Sequence, residues 1–143
     1  MLTDEYVSQK FREGIDCSMI ILAGAADDIG ITKDEAYRLG SCFGAGMLVG
    51  GVCGAVTGAF IAIGYKHGNS ELNDLAQKAV VTAKRDLFVE EFRKVHGSIE
   101  CPVLLGADLR VPEQARRARE SGAIDTECPR LCRTAERILR EVL

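Results

Sequence analysis

The sequence predicts an all-α fold, a single-domain helical bundle over residues 1–143 with a buried glycine-rich central helix. Three observations predict it. Apolar residues recur with a period near 3.6 in most segments, as on one face of a helix. No segment alternates apolar and polar residues in the way that a half-buried strand does. The length of 143 residues is that of one domain.

The N-terminal half contains the first three predicted helices. Val7 and Phe11 lie four residues apart, on one face of the first helix. Asp16 is a candidate N-cap for the second helix, because its carboxylate can accept bonds from the free N–H groups of the first turn. Thr32 and Glu35 form an S/T-x-x-E capping box, which opens a short third helix.

The central segment is uncharged between Arg38 and Lys66, and this run exceeds the length of about 20 residues that spans a bilayer. Small residues recur in it at every fourth position, which predicts a helix over 49–66 with one face almost free of side chains. A second helix can approach such a face closely, either within the chain or across a symmetric dimer. Because the other segments each have a polar face, we expect a buried helix of a soluble protein, with a small membrane component as the alternative. The small residues are Gly46, Gly50, Gly54, Gly58 and Ala62.

The C-terminal half contains three further predicted helices. Asn69 or Ser70 caps a long amphipathic helix that ends at His96, and Pro112 suits the first turn of the next helix. The last helix runs over 125–143. The apolar stripe of the long helix consists of Leu72, Leu75, Ala76, Ala79, Ala83, Leu87 and Phe92.

Charge and the N-terminus exclude some classes of function. The net charge of −3 argues against bulk nucleic-acid binding, which needs a basic face. The C-terminal arginines alternate with glutamates, which is typical of a solvated surface of mixed charge. The first twelve residues lack the basic and apolar regions of a signal peptide, so we expect a cytoplasmic protein. In that reducing compartment, cysteines serve as redox or metal-binding groups more often than as structural disulfides.

Six cysteines are the unusual feature of the composition. Cys17 lies in the first turn of its predicted helix, and Cys53 lies beside the glycine series, where small neighbours leave room around its sulfur. Cys101 and Cys128 are each followed by proline, which predicts that each is the N-cap of a helix. The partial positive charge of a helix N-terminus favours the thiolate, which is the nucleophile and the metal ligand.

Of the remaining two, Cys42 is interpreted as a small buried hydrophobic residue. Cys132 lies four residues after Cys128, so it either shares a helical face with Cys128 or is a buried hydrophobic residue as well. No C-x-x-C motif and no compact ferredoxin-type run occurs, so any common site has to be assembled from distant segments.

These pieces together resemble the C_GCAxxG_C_C family of redox-active proteins. The similarity covers nearly the whole chain and rests on Cys17-Ser18, the element Cys53-Gly54-Ala55-Val56-Thr57-Gly58, Cys101-Pro102 and Cys128-Pro129, in that order. The resemblance implies that the four family cysteines correspond to Cys17, Cys53, Cys101 and Cys128, and that Cys42 and Cys132 are additional.

Two kinds of chemistry follow for the four cysteines. They either ligate an iron–sulfur cluster for electron transfer or cycle between dithiol and disulfide. In the dithiol version, Cys101 or Cys128 is the expected attacking thiolate and Cys53 its partner. Electron exchange with a partner oxidoreductase is expected, because no acid–base set accompanies the cysteines. The alternative is a Cys₄ zinc site that only stabilises the fold.

Overall fold

The computed structural model describes residues 1–143 and contains nine α-helices, one 3₁₀ turn and no β-strand. The predicted all-α class is therefore confirmed. In chain order the helices are α1 (Asp4–Arg12), α2 (Cys17–Gly24), α3 (Ala26–Ile29), α4 (Lys33–Gly40), α5 (Gly54–His67), α6 (Leu75–His96), α7 (Cys101–Leu105), α8 (Pro112–Glu120) and α9 (Ala123–Val142); the 3₁₀ turn is Ala45–Leu48.

Local side chains set several of the helix starts. The capping box of α4 is confirmed: the Glu35 N–H donates to Thr32 Oγ1 at 3.1 Å, and the Thr32 N–H donates to the Glu35 carboxylate at 2.7 Å. The predicted start of α6 at residue 69 or 70 is wrong. Asp74 caps this helix by accepting from the Gln77 N–H at 3.0 Å. The left-handed backbone of Asn73, with φ of 61°, prevents the helix from extending further towards the N-terminus.

The C-terminal helices differ slightly from the prediction. Pro112 is the first residue of α8, as expected. Gly122 has φ of 78°, a left-handed conformation that glycine adopts without steric cost, and it separates α8 from α9. As a result, α9 begins at Ala123, two residues before the predicted start at Asp125.

Helix α5 is the predicted buried central helix, but it is shorter than expected. It begins at Gly54 because the backbone before it is left-handed at Gly50 and through residues 45–48. The prediction that Gly46 and Gly50 belong to the small-residue face is therefore wrong, and Gly54, Gly58 and Ala62 remain on the helix. Residues 54–59 of α5 are all buried.

The small face of α5 is covered by α2 of the same chain, and these two helices make the most extensive contact in the fold. A Cβ placed on Gly58 would lie 2.6 Å from the Ser18 carbonyl oxygen, so only glycine fits there. Ser18 is itself fully buried and donates to the Gly40 carbonyl at 2.7 Å, which also holds α4 against α2. Around this seam, α1, α6 and α9 complete one hydrophobic core.

No helix in the structure is sufficiently long and apolar to serve as a membrane span. The uncharged run is divided between the end of α4, the 3₁₀ turn and α5, so it does not form one continuous helix.

Helix α6 faces the core with a different side from the one its apolar stripe suggests. Phe88 and Phe92 are completely buried, and Phe88 contacts Phe60 of α5 with ring centroids 6.1 Å apart. Of the predicted stripe, only Phe92 is buried. Leu75 and Leu87 are 77% and 47% exposed, and the three alanines between them are exposed as well.

Candidate functional site

The four predicted cysteines line one cavity of about 290 Å³. Its remaining wall is mostly apolar, with Asp16 and Arg119 as its two charged residues. The full lining consists of Phe11, Asp16, Cys17, Ala45, Cys53, Gly54, Cys101, Leu105, Leu109, Arg119, Ile124, Cys128 and Leu131.

The cysteines reach the cavity from four different helices. Cys17 is the first residue of α2, Cys53 is the N-cap of α5, and Cys101 is the first residue of α7. The prediction that Cys128 is an N-cap is wrong: it lies in the second turn of α9, and Pro129 is accommodated inside that helix. Cys101 is likewise one residue inside its helix, since Glu100 is the N-cap.

Cys17 and Cys53 line the same cavity, and each shifts the pKa of the other. The Cys53 thiol lowers the pKa of Cys17 by hydrogen bonding to its sulfur, and the backbone N–H groups of Ala45 and Ser18 lower it further. The same interaction, together with burial, raises the pKa of Cys53 well above the usual value near 9. These opposite directions favour Cys17 as the member of the pair that ionises first. Cys17 is also the more accessible member, because Cys53 is only 5% exposed.

A glycine makes room for this pair. A Cβ on Gly54 would overlap the Sγ of Cys17, so any side chain at this position would displace that sulfur. The same Cβ would lie 3.1 Å from backbone atoms of Phe43 and Gly44, which leaves no direction in which the neighbours can yield easily. Gly54 thus fixes the separation between the start of α2 and the start of α5.

The 3₁₀ turn shapes another side of the site through an unusual backbone. Ala45, Gly46, Met47 and Leu48 have φ of 53°, 64°, 59° and 55°, which is one left-handed turn. For residues other than glycine this conformation costs roughly 1–2 kcal/mol each. The Ala45 N–H of this turn contributes to lowering the pKa of Cys17.

Backbone hydrogen bonds connect this turn to the other two helix starts. The Gly46 carbonyl accepts from the Gly51 N–H at 2.9 Å, and the Gly51 carbonyl accepts from the Cys101 N–H at 2.9 Å. The Cys53 N–H donates to the Ile99 carbonyl at 2.7 Å. Residues 51–53 and 99–101 therefore run beside each other, and this short pairing places Cys53 and Cys101 at the same cavity.

Cys101 and Cys128 differ from Cys17 in their electrostatics. Burial raises the pKa of Cys101 to about 11, and nearby Cys17 and Asp108 raise it as well. Burial also raises the pKa of Cys128, with contributions from Cys17 and Cys101. These directions count against the expectation that the two are activated thiolates, because desolvation outweighs the dipole of a five-residue helix at Cys101, and Cys128 is not at a helix start.

The donor geometry does not match a preformed metal centre. No group of three or more His, Cys, Asp or Glu side chains lies close enough together to hold one metal ion. An iron–sulfur cluster of the common type and a structural zinc site both require four converging ligands. The four cysteines share a cavity, but they do not converge on one point.

The two charged residues of the cavity were not identified as site residues from the sequence. Asp16 was predicted only as a helix cap; it lies beside Cys17, and desolvation raises its pKa. Arg119 was assigned to the solvated mixed-charge surface. It is exposed and forms no salt bridge, so it presents a free cation at the cavity. No sequence signal distinguishes it from the other arginines of the C-terminal half.

The two additional cysteines lie outside the cavity. Cys132 is fully buried in the hydrophobic core, as predicted. Cys42 is exposed after the end of α4, so its interpretation as a buried residue is wrong.

The model of one protein family matches residues 15–142, and its description reads "Putative redox-active protein (C_GCAxxG_C_C)". No curated protein and no solved structure matches the chain. The family pattern has Gly-Cys-Ala where this chain has Cys53-Gly54-Ala55.

Proposed function

Because the chain belongs to the C_GCAxxG_C_C family of redox-active proteins, we propose that it acts by dithiol–disulfide exchange, with Cys17 and Cys53 as the reacting pair. The observation that carries this proposal is the placement of both cysteines at one apolar cavity, with the Cys17 sulfur against the start of α5 at Gly54. The Cys53 thiol lowers the pKa of Cys17, and the pKa of Cys53 is raised. A thiolate with an adjacent resolving thiol is the minimum that disulfide exchange requires.

The reaction follows from the roles of the two sulfurs. The Cys17 thiolate attacks one sulfur of a substrate disulfide, forming a mixed disulfide and releasing the other sulfur as a thiolate. Cys53 then loses its proton and attacks the Cys17 sulfur of the mixed disulfide. The products are a Cys17–Cys53 disulfide and the second substrate thiolate, and one of the two released thiolates takes the Cys53 proton. Two electrons pass from the pair to the substrate disulfide.

The reverse reaction restores the dithiol and needs an external dithiol. A partner oxidoreductase with a reduced dithiol supplies these electrons by the same exchange chemistry. The apolar wall of the cavity supports the reaction in both directions by restricting water around the Cys17 sulfur.

Cys101 and Cys128 have a different role in this proposal. Both remain protonated at neutral pH because burial raises their pKa values, so they line the cavity without competing with Cys17 as nucleophiles. The alternative of an iron–sulfur or zinc centre on all four cysteines has less support, because no three donors converge. No step of the reaction is therefore assigned to a metal.

Trapping of the mixed disulfide tests the proposal. Reduced protein is incubated with glutathione disulfide and examined by intact mass and peptide mapping. The wild type is expected to form a Cys17–Cys53 disulfide, whereas C53S should accumulate glutathione on Cys17, and C17S should do neither. C42S is the matched control, since it removes an exposed thiol outside the cavity.

Two results would contradict the proposal. Glutathione attached mainly to Cys101 or Cys128 in C53S would show that one of these two cysteines, and not Cys17, is the nucleophile. Stoichiometric iron or zinc in anaerobically purified protein, lost on substitution of any of the four cysteines, would replace disulfide exchange by a metal centre.

A further inference from the structure

Arg119 lines the cysteine cavity but has no part in the proposed exchange reaction. It lies in the last turn of α8, and it is exposed. Every other arginine after residue 100 forms a salt bridge with an aspartate or a glutamate, whereas Arg119 forms none. The unpaired arginine of this half of the chain is therefore the one at the cavity, where its guanidinium is free to bind a ligand.

The rest of the cavity wall determines where a negative charge can be held. The wall is mostly apolar, and Asp16 is its only other charged residue. Asp16 is the N-cap of α2, directly before Cys17, and it does not pair with Arg119. A negatively charged group on a ligand is therefore repelled beside Cys17 and attracted at Arg119.

The charge of Arg119 acts on a ligand rather than on the reacting sulfur. The Cys53 thiol and two backbone N–H groups lower the pKa of Cys17, and no arginine is among the groups that shift it. A guanidinium binds a carboxylate through two parallel N–H···O hydrogen bonds. A phosphate monoester would bring up to two negative charges to a cavity with one cation and one carboxylate, whereas a carboxylate brings one. The charges of the wall therefore favour a carboxylate.

The size of the cavity limits the substrate further. Its volume of about 290 Å³ is close to the lower end of the range of roughly 300–1,000 Å³ that small-molecule pockets occupy. We infer that the substrate is a small disulfide with a carboxylate, which Arg119 binds while one of the substrate sulfurs faces Cys17; this assignment rests on the proposed exchange reaction. In that reaction the disulfide is reduced to two thiols, and Cys17 and Cys53 become linked.

Three aliphatic disulfides of different charge test the role of Arg119. They are 3,3′-dithiodipropionate, which is anionic, 2-hydroxyethyl disulfide, which is neutral, and cystamine, which is cationic. Each is mixed with the reduced protein, and the loss of free Cys17 is followed by acid quench, alkylation and peptide mapping.

Substitution of Arg119 should change the rates according to the charge of the disulfide. Arg119→Gln should slow the oxidation of Cys17 by dithiodipropionate about threefold to fivefold, the effect expected for one exposed ion pair, and leave the rate with hydroxyethyl disulfide unchanged. Arg119→Glu should slow dithiodipropionate more strongly and accelerate cystamine, because the charge at the cavity is reversed.

Arg116→Gln is the matched control. Arg116 lies on the same helix, but it is outside the cavity and pairs with Glu113. This variant should react like the wild type with all three disulfides. Iodoacetamide, which is neutral, should label Cys17 of Arg119→Gln at the wild-type rate, because the reacting sulfur itself is unaffected.

The outcomes separate this inference from the proposed function. If Arg119→Gln slows none of the disulfides, slows all three equally, or slows iodoacetamide labelling, the role of Arg119 in binding a carboxylate is overturned and the exchange reaction stands. Equal effects of Arg119→Gln and Arg116→Gln would overturn that role as well. If Cys17 of the wild type resists all three disulfides, the proposed function itself is overturned, and the assignment of its substrate with it.

Discussion

The cysteine cavity has one wall with Cys17 and another wall with Cys101 and Cys128, and the thiol pKa values on these two walls are shifted in opposite directions. On one wall, hydrogen bonding by the Cys53 thiol and by the backbone N–H groups of Ala45 and Ser18 lowers the pKa of Cys17. On the other wall, Cys101 and Cys128 lie against apolar side chains, and their pKa values are raised. Donors near the sulfur therefore lower the pKa of Cys17, whereas the start of a short helix does not offset the desolvation of Cys101.

The difference between the two walls requires α2 and α5 to lie close together at Gly54. A side chain added at this position should therefore have the strongest effect. Gly54→Ala should lower the free energy of unfolding by about 1–3 kcal/mol, because the added methyl group overlaps the Cys17 sulfur and backbone on the other side. Gly64→Ala is the control in the same helix. Nothing lies within 4 Å of its Cβ position, so it should raise stability by up to about 1 kcal/mol. Urea denaturation of both variants measures the two effects, and equal shifts would refute the packing role of Gly54.

The difference in reactivity between the walls is the next largest effect. For thiols with a pKa above 7, the fraction present as thiolate at pH 7 falls tenfold for each unit by which the pKa rises. The pKa of Cys101 is about 11 and that of Cys17 lies below the usual value near 9, so the thiolate fraction of Cys17 should be at least about 100-fold higher. The lower intrinsic nucleophilicity of a low-pKa thiolate offsets about tenfold of this. Peptide-resolved iodoacetamide labelling should therefore modify Cys17 about tenfold faster. Equal labelling rates of Cys17 and Cys101 would show that the thiols of the two walls do not differ in reactivity.

Removal of the Cys53 thiol should bring the pKa of Cys17 closer to those of Cys101 and Cys128. Cys53→Ala deletes the hydrogen bond that contributes most to the low pKa of Cys17, so that pKa should rise. The pH at which the labelling rate of Cys17 reaches half of its maximum should therefore rise, and the labelling rate at pH 7 should fall. Cys53→Ser retains a hydroxyl donor and is expected to shift the profile less. An unchanged pH profile in Cys53→Ala would show that Cys53 does not lower the pKa of Cys17.

The smallest effect concerns the left-handed turn that supplies the Ala45 N–H. Leu48→Gly should relieve roughly 1–2 kcal/mol of backbone strain but add conformational freedom to the unfolded chain, for a net gain of about 0.5 kcal/mol. Its side chain is 67% exposed, so little packing is lost. The labelling profile of Cys17 should stay unchanged. A loss of stability in urea denaturation would show that the Leu48 side chain itself holds the turn.

Much of this arrangement follows from local sequence. The helical periodicity, the capping box at Thr32 and the proline at the start of α8 are local signals, and each predicts its element correctly. The Gly54–Gly58 spacing predicts a close helix contact, because a face without side chains has few other uses within a core. The four cysteines that line the cavity can also be selected from the sequence, through their neighbours and the family pattern.

The roles within that set cannot be read from the sequence. The activation of Cys17 depends on Cys53 and on the N–H of Ala45, both of which lie far from it in the chain. The left-handed turn has no local signal, since Ala45, Met47 and Leu48 do not favour such backbone. The periodicity of α6 gives the positions of its apolar stripe but not which of its two apolar faces the chain covers.

The central claim is that Cys17 and Cys53 are the redox pair, and equilibrium disulfide mapping tests it most directly. The protein is equilibrated anaerobically with glutathione buffers of graded potential, quenched with acid, alkylated and mapped by mass spectrometry. We expect one two-electron transition in which Cys17 and Cys53 become linked together while Cys101 and Cys128 remain alkylated throughout. A transition that instead links or consumes Cys101 and Cys128, with Cys17 and Cys53 still free, would contradict it.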